Sequence, residues 1–316
     1  MKNYLMDGRC GSPAVLNTPS FFDPTLVERA NKLLLKLDPT RDTPRAVEHF
    51  TISEAVAVLE KKISVGFLKK NKIEYKTNSI ELRSDELSHE LAASNFLFAG
   101  CSFTYGEGLP LDLVWSYRLN TELHMHSDMK YFSIAYRGGS IDYILNALED
   151  YLEIYGNPKA IFALFPSPLR RLREYNEKES RYGVALPPPL SGSAASEDLA
   201  RYIKDVWPEC KSEKDVHRHN YRLIAAFQEA CEQKGVKLFW GTWDYRFRTY
   251  INSIEADNDL YVDLDVGKVE KKQDSITDKN KLYYYQARDT YHPGAGYHSA
   301  VKNLFKEKYE NTKSSD

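Results

Sequence analysis

From about residue 91 onward the chain alternates short apolar runs with stretches in which apolar positions recur every three or four residues. The runs are Phe96 to Gly100, Tyr131 to Ala135, Ala160 to Phe165, Val236 to Gly241 and Leu260 to Leu264. They are continuous rather than alternating, the pattern of strands covered on both faces. Between them helices are predicted near 112–124, 140–155 and 217–234, with a last one near 294–311. In the second of these, Ile141, Ile144, Leu145, Leu148 and Leu152 fall on one face. The repeated strand, helix, strand order predicts an α/β fold, a three-layer sandwich around a central, mostly parallel five-stranded sheet. In such sheets chemistry gathers at the carboxyl ends of the strands.

The first residues follow another pattern. Leu26 to Leu37 and Ser53 to Ile63 have the spacing of amphipathic helices, separated by the proline-bearing loop DPTRDTPR. No catalytic grouping is evident there, so residues 1–74 are expected to form a helical accessory extension to a main domain at 75–316. Within that domain the stretch from about 176 to 215, containing VALPPPLSGSAAS, is expected to be an irregular surface insertion.

Composition narrows the function classes. With 316 residues, 42% hydrophobic and 28% charged, the chain can bury a real core and is neither collagenous nor disordered. Its 43 Lys+Arg against 45 Asp+Glu leave a net charge of -2, which gives no reason to expect nucleic acid or an anionic membrane as partner. No apolar stretch of membrane length and no classical signal peptide is evident, so a soluble, cytoplasmic protein not exported by a classical signal is expected. The cysteines Cys10, Cys101, Cys210 and Cys231 form no C-x-x-C pair, which argues against a disulfide framework or a Cys-ligated zinc.

Two segments carry candidate chemistry. The strand Phe96 to Gly100 runs into Cys101-Ser102-Phe103-Thr104-Tyr105-Gly106-Glu107-Gly108, which sets the Ser102 hydroxyl at the sheet edge among backbone N–H groups. A capping serine in a strand-to-loop turn is the plainer alternative. Near the other end, Asp289 and His292 are three apart, a spacing that on one helical turn puts both on the same side. The carboxylate can then hold one imidazole nitrogen and leave the other for a serine. Pro293 is expected in the first turn of the helix that follows.

These segments resemble the SGNH (GDSL-type) hydrolase family. FAGCSFTYGEGL is similar to its first block and DTYHPG to its last. YFSIAYRGGSIDYIL resembles the second block, with Gly138 and Ser140 matching and Ser133 and Ala135 standing where Asn and Gly are usual. YKTNSIELRS resembles a strand that precedes the nucleophile in larger members, with Asn78 and Arg83 matching and Glu81 in place of Gly. The resemblance spans about residues 75–312. It departs at Cys101, where the family has Asp, and at Phe165-Pro166-Ser167-Pro168-Leu169-Arg170, where Ser167 falls in the place of an oxyanion-hole Asn.

The resemblance implies Ser102 as nucleophile, His292 as base and Asp289 as its orienter. The oxyanion hole would comprise the Ser102 and Gly138 N–H groups and Ser167, with no metal or organic cofactor. It further implies an ester hydrolase that removes O-acyl (acetyl) groups from a carbohydrate, with a small-molecule or glycan ester as partner. Loss of one oxyanion donor costs roughly 10²–10³ in rate. The competing reading is therefore a weak or inactive SGNH-fold structural or glycan-binding protein, such as a phage particle component, partnered by its own copies or another phage protein.

Arg170, Tyr105, Trp243 and Tyr245 are the candidate substrate contacts, Arg170 for an anionic group and the rings for stacking on a sugar, with Tyr136 and Tyr291 on the same proposed rim. Arg170, Arg171 and Arg173 together otherwise read as a solvated basic face. His124-x-His126 and His217-x-His219 have metal-ligand spacing but no identifiable third ligand.

Overall fold

The computed structural model describes residues 14–15, 24–37, 47–48, 50–80, 82–124, 130–176, 181–185, 187, 195–254, 258–265 and 286–313. The N-terminal part comprises β1 (Ala14–Val15), α1 (Pro24–Leu37), β2 (Val47–Glu48), α2 (Ile52–Leu59), α3 (Val65–Lys70), β3 (Tyr75–Lys76) and α4 (His89–Ala92). The main layers begin with β4 (Phe96–Gly100), α5 (Ser102–Tyr105), α6 (Trp115–Leu123), β5 (Phe132–Ala135), α7 (Ile141–Ile154) and β6 (Ala160–Phe165). There follow β7 (Arg171–Asn176), β8 (Arg181–Ala185), α8 (Ala195–Val206), α9 (Glu213–Gln233), β9 (Leu238–Thr242), α10 (Tyr245–Ser253) and α11 (Ala295–Lys313).

The central sheet has the order β5-β4-β6-β9 with every pairing parallel. Alternate residues face opposite layers. Leu97, Ala99, Ile161 and Ala163 share a core with Ile144, Leu148, Ile224 and Phe227 of α7 and α9. Phe96, Phe98, Phe162 and Leu164 share the other with Trp115, Leu119, Val301 and Phe305 of α6 and α11. Both faces are apolar because both are covered, which is why the strands read as unbroken runs.

Four strands pair where five are expected. Leu260 to Leu264 makes only a bridge between Tyr261 and Trp240, through Trp240 N–H to the Leu260 carbonyl (3.1 Å) and Val262 N–H to the Trp240 carbonyl (2.7 Å). Beyond it the Arg248 guanidinium, from α10, satisfies the Leu264 carbonyl (2.7 Å), so a side chain replaces the ladder.

The stretch expected to be irregular at 176–215 is regular over much of its described length. β8 closes an antiparallel hairpin with β7, and α8 follows. Leu169, Ala185, Tyr202, Ile203 and Trp207 form a small core of their own, with the Tyr202 hydroxyl and Trp207 indole both donating to the Leu169 carbonyl (2.7 and 3.1 Å). Pro188 and Pro189 of the triplet lie outside the described residues.

The chain leaves β4 for β5 on one side and returns across the sheet to β6 on the other. The crevice at the carboxyl ends of β4 and β6 is thus the topological switch point, where this class of sheet binds ligands.

Candidate active site

Ser102 emerges at that point. Cys101 is the extended N-cap residue and Ser102 opens the single turn of α5, where the first N–H groups have no acceptor within the helix. Gly106 ends the turn with φ +74, and a Cβ there would lie 2.1 Å from Val114. The buried Arg83 guanidinium braces the loop from behind through the carbonyls of Tyr105 (3.0 Å), Gly106 (2.9 Å) and Leu109 (2.9 Å). The Cys101 thiol accepts the Trp243 indole N–H at 3.4 Å, and the Trp243 ring stacks on Phe103 at 4.7 Å.

Asp289 and His292 meet, though by a different geometry from the helical turn expected. Thr290 has φ +64, outside the helical region, and α11 starts only at Ala295. Pro293 lies ahead of that helix and pairs with Gln286 in an antiparallel bridge. The short carboxylate organises the turn. Asp289 Oδ1 accepts the N–H groups of Tyr291 and His292, both at 3.1 Å, and Oδ2 lies 2.5 Å from His292 Nδ1. Gly108 joins this turn to the serine loop: its carbonyl accepts the Arg288 N–H at 2.9 Å, and a Cβ there would come within 2.8 Å of the Ala287 side chain.

The second imidazole nitrogen, Nε2, faces Glu107, whose Oε2 is 3.8 Å away. Glu107 is itself buried and accepts the Ser53 hydroxyl of α2 at 2.7 Å. Phe103, the residue after Ser102, meets the His292 ring edge-on at 5.7 Å. Among the described residues the Ser102 hydroxyl has no hydrogen-bond partner, so the serine–histidine limb is open while the histidine–aspartate limb is made.

Burial by itself favours neutral His292. The Asp289 charge and hydrogen bond, with smaller contributions from Glu107 and Cys101, outweigh it and raise the pKa to about 9. At pH 7 about one molecule in a hundred then carries a neutral base. If His292 acts as general base, kcat/KM for an activated acetyl ester rises about fiftyfold from pH 7 to 9 and levels off about twofold higher, above about pH 10. Glu107→Gln moves that rise to lower pH. A flat profile from pH 6 to 9 contradicts this.

The other candidate positions are distributed unevenly. Gly138, with φ +77, follows β5, and Ser167 follows β6 and is buried. Tyr105 is buried against Tyr75 (6.0 Å), and Tyr136 is buried edge-on to Tyr143 (4.7 Å), so neither presents a ring to solvent. Tyr291 packs under Lys62 (4.0 Å) and bonds Glu60. Tyr245 is 66% exposed and Trp243 is half-buried.

Sequence reasoning missed the contribution of α2. Glu54 Oε1 pairs with Arg288 Nη2 at 2.6 Å and accepts the Tyr75 hydroxyl at 3.0 Å, and Tyr75 in turn accepts the Gly108 N–H at 2.9 Å. The signal available was the capping box Thr51-x-x-Glu54, which marks the start of α2 but says nothing of Glu54's distant partner.

His124 stacks on Phe96 (4.5 Å) and is held neutral by burial, its pKa near 4, and His126 lies outside the described residues. His217 and His219 lie on α9 rather than a strand, packed on Phe247 and Trp207 respectively. Among the described residues no cluster of three metal-binding side chains occurs. Among those residues, too, no helix is long and apolar enough to cross a membrane.

No family model matches the chain, and no curated protein matches it. Among solved structures it is similar to TesA at 12% identity, over 69% of this chain and 98% of that one, with a TM-score of 0.41. It is similar also to the psychrotrophic esterase EstA from Pseudoalteromonas sp., solved with monoethylphosphonate as inhibitor, at 12% identity over 70% and 98% of the two chains, with a TM-score of 0.38.

Proposed function

We propose that the chain is a serine ester hydrolase of SGNH type, acting through Ser102. The observation that supports this is the Asp289–His292 pair, made at 2.5 Å in a turn that Gly108 joins to the loop Ser102 opens. In the proposed reaction Glu107 releases Nε2, and neutral His292 takes the Ser102 proton as Oγ attacks the ester carbonyl. Asp289 fixes the tautomer and stabilises the imidazolium. The Ser102 and Gly138 N–H groups and the Ser167 hydroxyl serve as oxyanion donors. His292 then protonates the leaving alcohol, and in the second half it activates the water that releases the acid from the acyl-enzyme. This route uses no cofactor.

O-acetyl esters of a carbohydrate remain the proposed substrate class on the strength of the sequence resemblance, with the exposed ring of Tyr245 as a candidate sugar contact. One observation favours the non-catalytic alternative, a glycan-binding or structural protein of a phage particle: the limb from Ser102 to His292 is open. Labelling by a fluorophosphonate between pH 7 and 9.5 decides between them. The hydrolase reading expects a covalent adduct that Ser102→Ala abolishes. Absence of label across that range, or label that survives Ser102→Ala, overturns it.

A further inference from the structure

Among the described residues, the segment after β6 buries a positive charge without a counter-charge. Arg170 is only 6% exposed. Its backbone N–H closes a turn on the Ser167 carbonyl (3.2 Å), one Nη1–H donates to the Gly139 carbonyl (3.2 Å), and the guanidinium lies over Trp243 with Cζ 5.4 Å from the ring centroid. No carboxylate is within ion-pair distance of it among the described residues. The other deeply buried guanidinium groups are answered: Arg288 by Glu54 at 2.6 Å, and Arg83 by a fan of backbone carbonyls. Even the neighbouring Arg171 pairs with Glu209.

A guanidinium has five N–H donors, and among the described residues Arg170 gives one of them to the protein. Burying such a group without an anion is unfavourable unless one arrives. The location supplies a reason. Arg170 touches the turn carrying Gly138 and Gly139 on one side and Trp243 on the other, and Trp243 packs on Phe103 and Cys101, the two neighbours of Ser102. Ser167, three residues before it, is also buried with a hydroxyl that has no partner among the described residues.

We propose that Arg170 forms an anion-binding subsite next to the oxyanion donor Ser167, and that the preferred substrate is an ester bearing a carboxylate, sulfate or phosphate close to the scissile bond. The substrate part of this rests on the hydrolase reading of Ser102. A planar guanidinium presents parallel donors to two oxygens of such a group, and the indole face holds the plane in orientation. An Arg170 that served instead as an oxyanion donor would act on every ester alike, because the oxyanion arises in every ester's transition state.

The test compares p-nitrophenyl acetate with p-nitrophenyl hemisuccinate on the wild type, Arg170→Gln and Arg170→Lys. The quantity read is the ratio of kcat/KM, anionic over neutral. The wild type favours the hemisuccinate, Arg170→Gln lowers the ratio by about tenfold or more, and Arg170→Lys falls between. An unchanged ratio in Arg170→Gln, or no preference in the wild type, overturns the proposal. A second arm needs no turnover: Ser102→Ala protein is titrated calorimetrically with methyl hemisuccinate and with inorganic sulfate. Saturable binding that disappears on adding Arg170→Gln supports the subsite even if no ester is hydrolysed, which would retire the hydrolase reading alone. Turnover without such binding retires the subsite alone. Should Arg170→Gln fail to fold, the wild-type preference and the Arg170→Lys ratio still decide.

Discussion

Asp289→Asn lowers kcat on an activated ester by about 10⁴ while leaving the turn around it intact, as loss of the orienting carboxylate does in triad hydrolases. The two oxygens of Asp289 have separate tasks. Oδ1 receives the N–H groups of Tyr291 and His292, and an asparagine carbonyl can still do that. Oδ2 receives the proton on Nδ1, and there the asparagine presents N–H donors instead. The imidazole must then accept at Nδ1 and carry its proton on Nε2, the nitrogen that should take the proton from Ser102. The same substitution removes the largest influence raising the His292 pKa above its ordinary value, so the pH at which the residual rate begins to rise moves down. Rates measured from pH 6 to 10 with the protein's near-ultraviolet circular dichroism as a fold control check both parts. A kcat within tenfold of wild type at every pH rules out an orienting role for Asp289.

Glu54→Ala destabilises the protein by about 3–5 kcal/mol, although Glu54 lies on a helix that sequence reading set apart as an accessory. Its carboxylate and the Arg288 guanidinium are both fully buried. Removing the carboxylate strands that cation, the Tyr75 hydroxyl and the Thr51 N–H together. Burial raises Glu54 to about 7 against the pull of Arg288 and the Thr51 N–H, so the charged form depends on those partners. At roughly 2–4 °C per kcal/mol, unfolding should begin about 10 °C lower. The double variant Glu54→Leu/Arg288→Met should recover much of the loss, since an apolar pair leaves no orphaned charge. Thermal unfolding of the two singles and the double measures the coupling. A loss under 1 kcal/mol in Glu54→Ala contradicts the account.

The sheet and the serine were legible because their signals are local. β4, β5, β6 and β9 each show as apolar runs of a few residues, and α7 as one apolar face. Ser102 could be placed because it follows such a run directly. Leu260 to Leu264 has the same composition but pairs through a single bridge, since Arg248, far away in neither sequence nor space, takes the carbonyl a ladder would need. The pairing of Asp289 with His292 was legible by residue type and spacing, while the conformation of their turn was not. A left-handed Thr290 follows from which hydrogen bonds Asp289 finds, not from helical periodicity. Glu107 and Glu54 were missed for a third reason. Acidic residues in a sequence read as solvated, and what makes these two matter is burial against Ser53, His292 and Arg288, partners remote along the chain.

The bond between Gly108 and Arg288 has a consequence for the order in which the protein acquires its chemistry. The serine loop is translated long before the turn that carries Asp289 and His292, and α2, which braces both, is translated first of all. A nascent chain that has emerged through β9 can form most of the central sheet and display Ser102, yet it holds no base to ionise it. Closure of this contact is among the most non-local events in the fold, and such contacts form late because the loop entropy is lost before they return anything. On the hydrolase reading Ser102 therefore stays inert through synthesis, and reactivity appears only with the last packing step.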